Sequence, residues 1–427
     1  MTDTALVFAV VAGIIALGFA GEFFFKKTGI PIYIFLIFTG IILGPILNIF
    51  PRDPLIPELT IFAQLTLVMV LFYGGLELKS ASILTSGGRA FAQTLIYVVS
   101  SITIIGLIGI LILKWDVLPS FIFASMIGGE TTAAVVVPLS RSMKLPEATA
   151  AFLTMESAMN SIFSIVLFTA LVGVYTTGGT SLLTAFSGVA SQISVGAVSG
   201  AILSLAWVFI LNRLQKQKFT YVLSIGLILV TYALAAKLGG SGLLAVLVFG
   251  IILGNYYLVN RLFKTQMNID SLQKQIGAFQ EEISFLLRTL FFVFLGLTFV
   301  IMPSLLLNNF SLGILFLIIL LSARTAAAQV STSKSELKND RRAIVLMCAQ
   351  GLTPATLAIL AVSLQLPLAD TFLNIVTYVI ILTNIVTTVG SIIYARNQNH
   401  NSHNTLENNA PSLPLDAQKK EVDSAQA

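Results

Sequence analysis

Long apolar stretches alternate with short polar connections along most of the chain. A helix needs about 20 mostly apolar residues to cross a bilayer. That window predicts spans near 5–23, 30–50, 57–76, 90–113, 118–139, 147–174, 184–211, 219–236, 241–258, 280–302, 308–330, 342–364 and 370–394. The fold class this implies is an all-α polytopic membrane protein with about 13 transmembrane helices. The stretches at 118–139 and 342–364 are the least regular, because polar groups interrupt both. Beyond residue 396 the pattern stops. Residues 397–427 are rich in Asn, Ser, Gln, Pro and charge, and predict a disordered cytoplasmic tail after a transmembrane domain of residues 1–396. The first span has no basic segment before it and no clear cleavage site, so it reads as a retained span and not as a signal peptide.

Composition agrees with the pattern. Apolar residues make up 56% of the 427 residues and charged residues 10%, against about 25% charged in a soluble domain. Mean hydropathy is +0.93. The net charge of +5 would suit a nucleic-acid partner if it formed a patch, but it does not. With the N-terminus outside, all but five of the 24 Lys and Arg fall in the inside loops and the tail. Arg52, Lys114 and Lys237 lie on the other side, and Arg288 and Arg324 lie within spans. Such asymmetry predicts a cell-membrane protein with its N-terminus outside and its C-terminus cytoplasmic, and no nucleic-acid partner. Both histidines, His400 and His403, fall in the tail, and Cys348 is the one cysteine. No metal centre, disulfide or cofactor is expected. There is no Walker loop, dinucleotide fingerprint or nucleophile elbow, and the chain does not read as an enzyme.

The two interrupted spans resemble each other. One reads Met126-Ile-Gly-Gly-Glu130-Thr131-Thr132-Ala133-Ala134, the other Met347-Cys-Ala-Gln-Gly351-Leu-Thr353-Pro354-Ala355. They are the fifth and twelfth spans, and an odd offset makes them run in opposite directions. This is the trace of an inverted repeat with discontinuous helices, which points to a midplane site in secondary transporters. Gly and Pro free backbone groups from the helix ladder, and those groups survive in a membrane only against protein or a water-filled cavity. The plainer alternative is a pair of kinks with no ligand.

Charged groups near the bilayer centre cost about 2.5–3.5 kcal/mol each and are functional candidates by default. Glu130, Glu156, Arg288 and Arg324 are the four; Glu22, Glu77, Glu281 and Glu282 lie near span ends. Two acids and two bases can form buried ion pairs that hold helices together. Glu130, beside Thr131 and Thr132, has a second reading. A carboxylate there can hold a proton or a bare cation but not both, with hydroxyls and freed carbonyls completing the oxygen shell. Glu156 and Asn160 share one helical face, with Ser157 and Ser161 beside them. That polar stripe must face protein or water, and Asn384 is its counterpart by position in the last span.

In order and spacing these residues resemble the cation/proton antiporter superfamily, in particular the sodium/proton exchangers of bacteria and archaea. The resemblance runs over about residues 5–394, through Gly29-Ile-Pro31 to Gly44-Pro45, Leu71-Phe-Tyr-Gly74-Gly75-Leu-Glu77-Leu, Glu156 to Asn160, Phe285-Leu-Leu-Arg288 to Gly296, Ala323-Arg324 and Gln350-Gly351-Leu-Thr353-Pro354. It implies a homodimer whose protomers each pair a scaffold with a six-helix core. The core holds two crossed, unwound helices and moves to alternate access. It also implies that Glu156 pairs with Arg324. Two departures stand out. Asn160 is followed by Ser161 where the family has an Asp, and Thr131-Thr132-Ala133 stands where "TDP" is common. The leading expectation is exchange of Na⁺ or K⁺ for protons, with Glu130 as the exchanging carboxylate. Thr131, Thr132, Asn160 and Ser161 would be polar ligands, with Gly351, Thr353, Pro354 and Arg288 as further intramembrane candidates. The alternatives are a degenerate fold acting as a non-transporting sensor or partner, and a uniporter or anion transporter using Arg288.

Overall fold

Helices that are apolar on every side cannot hide an apolar face against one neighbour alone, and they pack into a bundle within lipid. The computed structural model describes residues 4–408 apart from 29–31, 51, 53–55, 79, 178–181, 215–216, 218 and 302. No strand occurs among the described residues. In order the helices are α1 (Thr4–Thr28), α2 (Tyr33–Ile41, extended by a π-turn at Ile42–Ile46), α3 (Ile56–Glu77), α4 (Ser80–Leu111), α5 (Val117–Ile127), α6 (Ala133–Ser142), α7 (Glu147–Thr177) and α8 (Leu182–Arg213). There follow α9 (Thr220–Lys237), α10 (Gly242–Gly254), α11 (Tyr256–Phe263), α12 (Asp270–Leu297), α13 (Pro303–Thr332), α14 (Arg341–Leu346), α15 (Leu352–Ser363) and α16 (Ala369–Asn408). Among the described residues seven helices are long and apolar enough to cross a membrane, or eight if α10 and α11, bent by 72°, form one span. Shorter apolar helical stretches lie at Val11–Phe24, Tyr33–Ile46, Val117–Ile127 and Leu352–Ser363.

Three boundaries differ from the hydropathy window. Polar residues propagate a helix once its apolar part has nucleated it, so α12 begins at Asp270 and not near 280. For the same reason α16 continues to Asn408, and the first part of the predicted tail, Asn397–Asn408, is helical; residues 409–427 lie outside the described residues. Helix α11 is amphipathic and too short to register as a span. It follows a turn at Asn255, whose amide donates to Leu78 O at 2.7 Å.

Packing sorts the helices into two groups. In the first, α10 packs on α3, α8 and α9, and α12 packs on α1, α2 and α3. In the second, α4 packs on α5, α7 and α13, while α16 packs on α13, α14 and α15. Close backbone contacts made through glycine stay inside one group. A Cβ on Gly40 would sit 2.0 Å from Val293 O, and one on Gly75 would sit 2.5 Å from Leu247 O. In the second group Gly129, at φ +79°, lies against Val98, and Gly390 lies against Leu346. The seam between the groups runs chiefly along α3 against α15 and α7 against α8.

Candidate functional site

Helix α5 stops at Ile127 and α6 starts at Ala133; α14 stops at Leu346 and α15 starts at Leu352. The segments left between them, 128–132 and 347–351, lie against each other in the second group. Thr132 N donates to Ala349 O at 2.8 Å, and the Gln350 side-chain amide donates to Ile127 O at 2.6 Å. Backbone groups released by helix breaks need partners in an apolar interior, and two helices supply them. From α7, Ser157 Oγ donates to Thr131 O at 2.6 Å and Asn160 Nδ2 donates to Thr131 Oγ1 at 2.9 Å. From α16, Thr387 Oγ1 accepts from Cys348 N at 3.2 Å and Thr383 Oγ1 accepts from Gln350 N at 3.1 Å, while Asn384 Nδ2 donates to Gln350 O at 2.7 Å.

Glu130 sits at the first break with 1% of its surface exposed. Ser161 Oγ donates to its Oε1 at 3.4 Å, and Thr353 Oγ1 donates to Ser161 Oγ at 3.2 Å. The Thr353 hydroxyl and the Gly351 N–H also face the carboxylate. Among the described residues its second oxygen, Oε2, has no hydrogen-bond partner, and neither do the buried amide oxygens of Asn160, Gln350 and Asn384. A lone acceptor buried in this way is costly unless a proton or a cation meets it. The Asn160 and Gln350 amide nitrogens that adjoin these oxygens donate instead to Thr131 Oγ1 and Ile127 O. Gly351, Thr353 and Pro354 are buried at the start of α15 beside this centre, and Thr132 is 9% exposed.

Glu156 and Arg324 are both fully buried and meet edge to edge. Arg324 Nη1 donates to Glu156 Oε1 at 2.6 Å and Nη2 to Oε2 at 3.0 Å. Arg324 Nε donates to Ile344 O at 2.9 Å, and the guanidinium lies 5.3 Å from the Tyr97 ring centroid. This bidentate pair joins α7, α13, α14 and α4 and leaves no net charge. Asn160 Nδ2 lies 3.5 Å from Glu156 Oε1, so the pair and the Thr131 contact are adjacent.

Arg288 is elsewhere. Among the described residues it makes no hydrogen bond to Glu130; it lines a cavity of about 170 Å³ with Glu22, Tyr33, Glu77, Glu281 and Ala158. A larger cavity of about 620 Å³ opens beside it, lined by Tyr73, Glu77, Arg141, Ala151, Asp270 and Lys274 among others. The two share Tyr73, Glu77, Arg141, Thr154 and Glu281. Together they form a vestibule of mixed lining between the ends of α3 and α12 on one side and α6 and α7 on the other. The sequence places Ser157 in the polar stripe and Gln350 in the second motif without a role for either, and Thr383 and Thr387 are not singled out in it. The last two had a visible signal, a Thr383-Asn384-Thr387 stripe of the same spacing as Glu156-Ser157-Asn160. Nothing local marked the tie that Gln350 makes, because its partner, Ile127 O, is 223 residues away.

A profile of the sodium/hydrogen exchanger transmembrane region matches residues 7–394. Over 377 residues the chain is 26% identical to the K(+)/H(+) antiporter NhaP2 of Shewanella oneidensis, covering 84% of this chain and 61% of that protein. The chain thus spans about three fifths of that relative's length. Over 359 residues it is 24% identical to the probable Na(+)/H(+) antiporter 2 of Methanocaldococcus jannaschii, covering 78% and 79% of the two chains. The fold matches the sodium proton antiporter MjNhaP1 of the same organism at pH 8, with a TM-score of 0.79, 21% identity, and coverage of 92% of this chain and 98% of that one.

Proposed function

The chain belongs to the sodium/hydrogen exchanger transmembrane family, and from that premise we propose that it is a secondary transporter, not an enzyme, which exchanges a monovalent cation, Na⁺ or K⁺, for protons. The observation that carries the proposal is Glu130. It is a buried carboxylate at a helix break, one of its oxygens lacks a donor among the described residues, and the other accepts from Ser161, which in turn accepts from Thr353. A proton neutralises that oxygen, and a dehydrated cation does the same. The two cannot be held together, which is the minimal chemistry of exchange. In this reading Glu130 is the exchanging group, and Ser161, Thr353 and the Thr131 segment offer hydroxyl and carbonyl oxygens. Thr132 and Asn160 hold the first break. The Glu156–Arg324 pair is structural, and Gly351 and Pro354 shape the second break. The printed names of the relatives, one a K(+)/H(+) and one a probable Na(+)/H(+) antiporter, support the class of exchange.

The architecture proposed with it has thirteen spans. Helix α2 with its π-turn counts as one, α5 with α6 as another and α14 with α15 as a third, and these last two pairs are discontinuous helices that cross at their breaks. The N-terminus lies outside and the C-terminus in the cytoplasm, as the loop charges favour. Residues 1–396 form the exchanger domain and 397–427 a cytoplasmic extension. The protein works as a homodimer in the cell membrane by alternating access.

Ser161, standing after Asn160 where the family has an acid, favours one competing reading, a non-transporting member of the fold. Reconstitution separates the two. Added Na⁺ or K⁺ should move protons across proteoliposomes holding a pH gradient, and thermal stabilisation by cation without any proton movement would select the competitor.

A further inference from the structure

The vestibule opens on one face of the bundle, and a different set of contacts closes the other. Helices α3 and α12 run antiparallel. Gln280 of α12 donates to Met69 O of α3 at 2.9 Å, and Phe62 near the start of α3 meets Phe294 near the end of α12 edge to face, with centroids 5.2 Å apart. Glu77 and Asp270, at the C-terminal end of α3 and the N-terminal end of α12, line the vestibule. Arg52, which precedes α3, and Val300, which follows α12, therefore lie on the opposite face. Both are held by α16 of the other packing group. Asp370 accepts an ion-paired hydrogen bond from Arg52 Nη2. One turn further on, Asn374 accepts from Val300 N at 3.1 Å and donates to Val300 O at 2.9 Å. On this face too, α7 and α8 are tied close to their connection by Thr169 Oγ1, which donates to Gln192 Oε1 at 3.0 Å. The glycine-mediated backbone contacts, by contrast, stay within the two groups.

We propose that Asp370 and Asn374 form a latch that keeps the face opposite the vestibule shut, and that Arg52 and Val300 must part from them for the site to open to that face. The parts differ in kind. The Arg52–Asp370 pair is solvated, with side chains 22% and 51% exposed, so it contributes little energy and can break readily. Asn374 is 5% exposed and satisfies both polar groups of one peptide; separating it from Val300 leaves those groups to water or to new partners. The latch sets the balance between two facings of the site and plays no part in holding the ion. It rests on the exchange reading only in that the opening serves transport.

Two measurements test it. In the first, Arg52→Cys and Asp370→Cys are combined, the purified protein is joined with a short bis-methanethiosulfonate and reconstituted, and proton movement on adding Na⁺ or K⁺ is followed. Exchange should fall at least about tenfold and return on reduction. A crosslinked protein that exchanges at the unlinked rate, or a pair that does not crosslink, overturns the latch. If the native protein, run alongside, moves no protons with either cation, the exchange reading has failed; in that case, or if only the unlinked variant is inactive, the second measurement decides the latch without transport. Here an Ala151→Cys reporter in the vestibule is labelled with a maleimide in detergent, alone and combined with Asp370→Asn and Asn374→Ala. Freeing the far face lets the vestibule close for part of the time, so labelling should slow by about threefold or more. The Asp370→Asn change alone alters a half-exposed side chain, keeps the fold, and should give a smaller slowing in the same direction. Labelling unchanged in both overturns the proposal.

Discussion

At the scale of the residue the proposed exchange rests on one oxygen of Glu130 that no donor meets among the described residues. Glu130 is buried like Glu156, but Glu156 has a guanidinium on both oxygens and Glu130 has hydroxyls near one. The two carboxylates therefore have separate consequences. Glu130→Gln removes the proposed exchanging group, keeps the shape, and gives the orphaned position an amide that cannot change charge. Cation-driven proton movement should fall by at least about 100-fold, with thermal stability kept or raised. Glu156→Gln leaves Arg324 buried and unpaired. A loss of about 3–5 kcal/mol of stability is expected, read as a lower unfolding temperature or poor recovery of folded protein. The carboxylates themselves were legible in the sequence, because charge in an apolar run is rare. The pairing of Glu156 with Arg324 was available only through the family resemblance, since 168 residues separate the two.

At the scale of the element the central fact is that each break is splinted by one continuous helix. Helix α7 holds the first with Ser157 and Asn160, and α16 holds the second with Thr383, Asn384 and Thr387. Gly and Thr in mid-span announced both breaks, since an apolar helix has no other reason to carry them. The splints were harder to see, because side chains on a far helix satisfy the freed backbone and local pattern holds no record of them. Gln350 ties break to break through Ile127 O. Gln350→Ala should leave that carbonyl buried without a donor, at a cost of about 1–3 kcal/mol, and should depress exchange more than it lowers affinity. Thermal unfolding and the rate at saturating cation check the two parts separately. The same blindness to tertiary support explains the boundary errors. The N-terminal turns of α12 and the C-terminal turns of α16 are polar, and hydropathy ends a span where the helix itself continues.

At the scale of the whole molecule the bundle divides into two tightly packed groups, with the site in one of them and a vestibule along the seam. Class and membrane character were already legible in composition and loop charge, because 10% charged residues cannot clothe a soluble surface. The division into groups was not, since it depends on which glycines meet which backbones. The vestibule carries Glu22, Glu77 and Glu281 together with Arg288 and Arg141, charges of both signs that, in the proposed reading, a cation would pass on its way to the site. Arg288→Ala should therefore leave proton coupling intact and alter the apparent cation affinity by a few-fold at low salt, an effect that shrinks as ionic strength rises. The central claim, one carboxylate shared in turn by proton and cation, makes a demand with a definite sign. Acid fills Glu130 with protons, so a cation must compete harder as pH falls. The measurement is the apparent KM for Na⁺ and K⁺ in proteoliposomes across a pH series, for the native protein and for Glu130→Gln. The account predicts a KM that rises with acidity, by up to about tenfold per pH unit, at a constant maximal rate, and no exchange in the variant. A KM independent of pH, or a Glu130→Gln protein that exchanges normally, would contradict it.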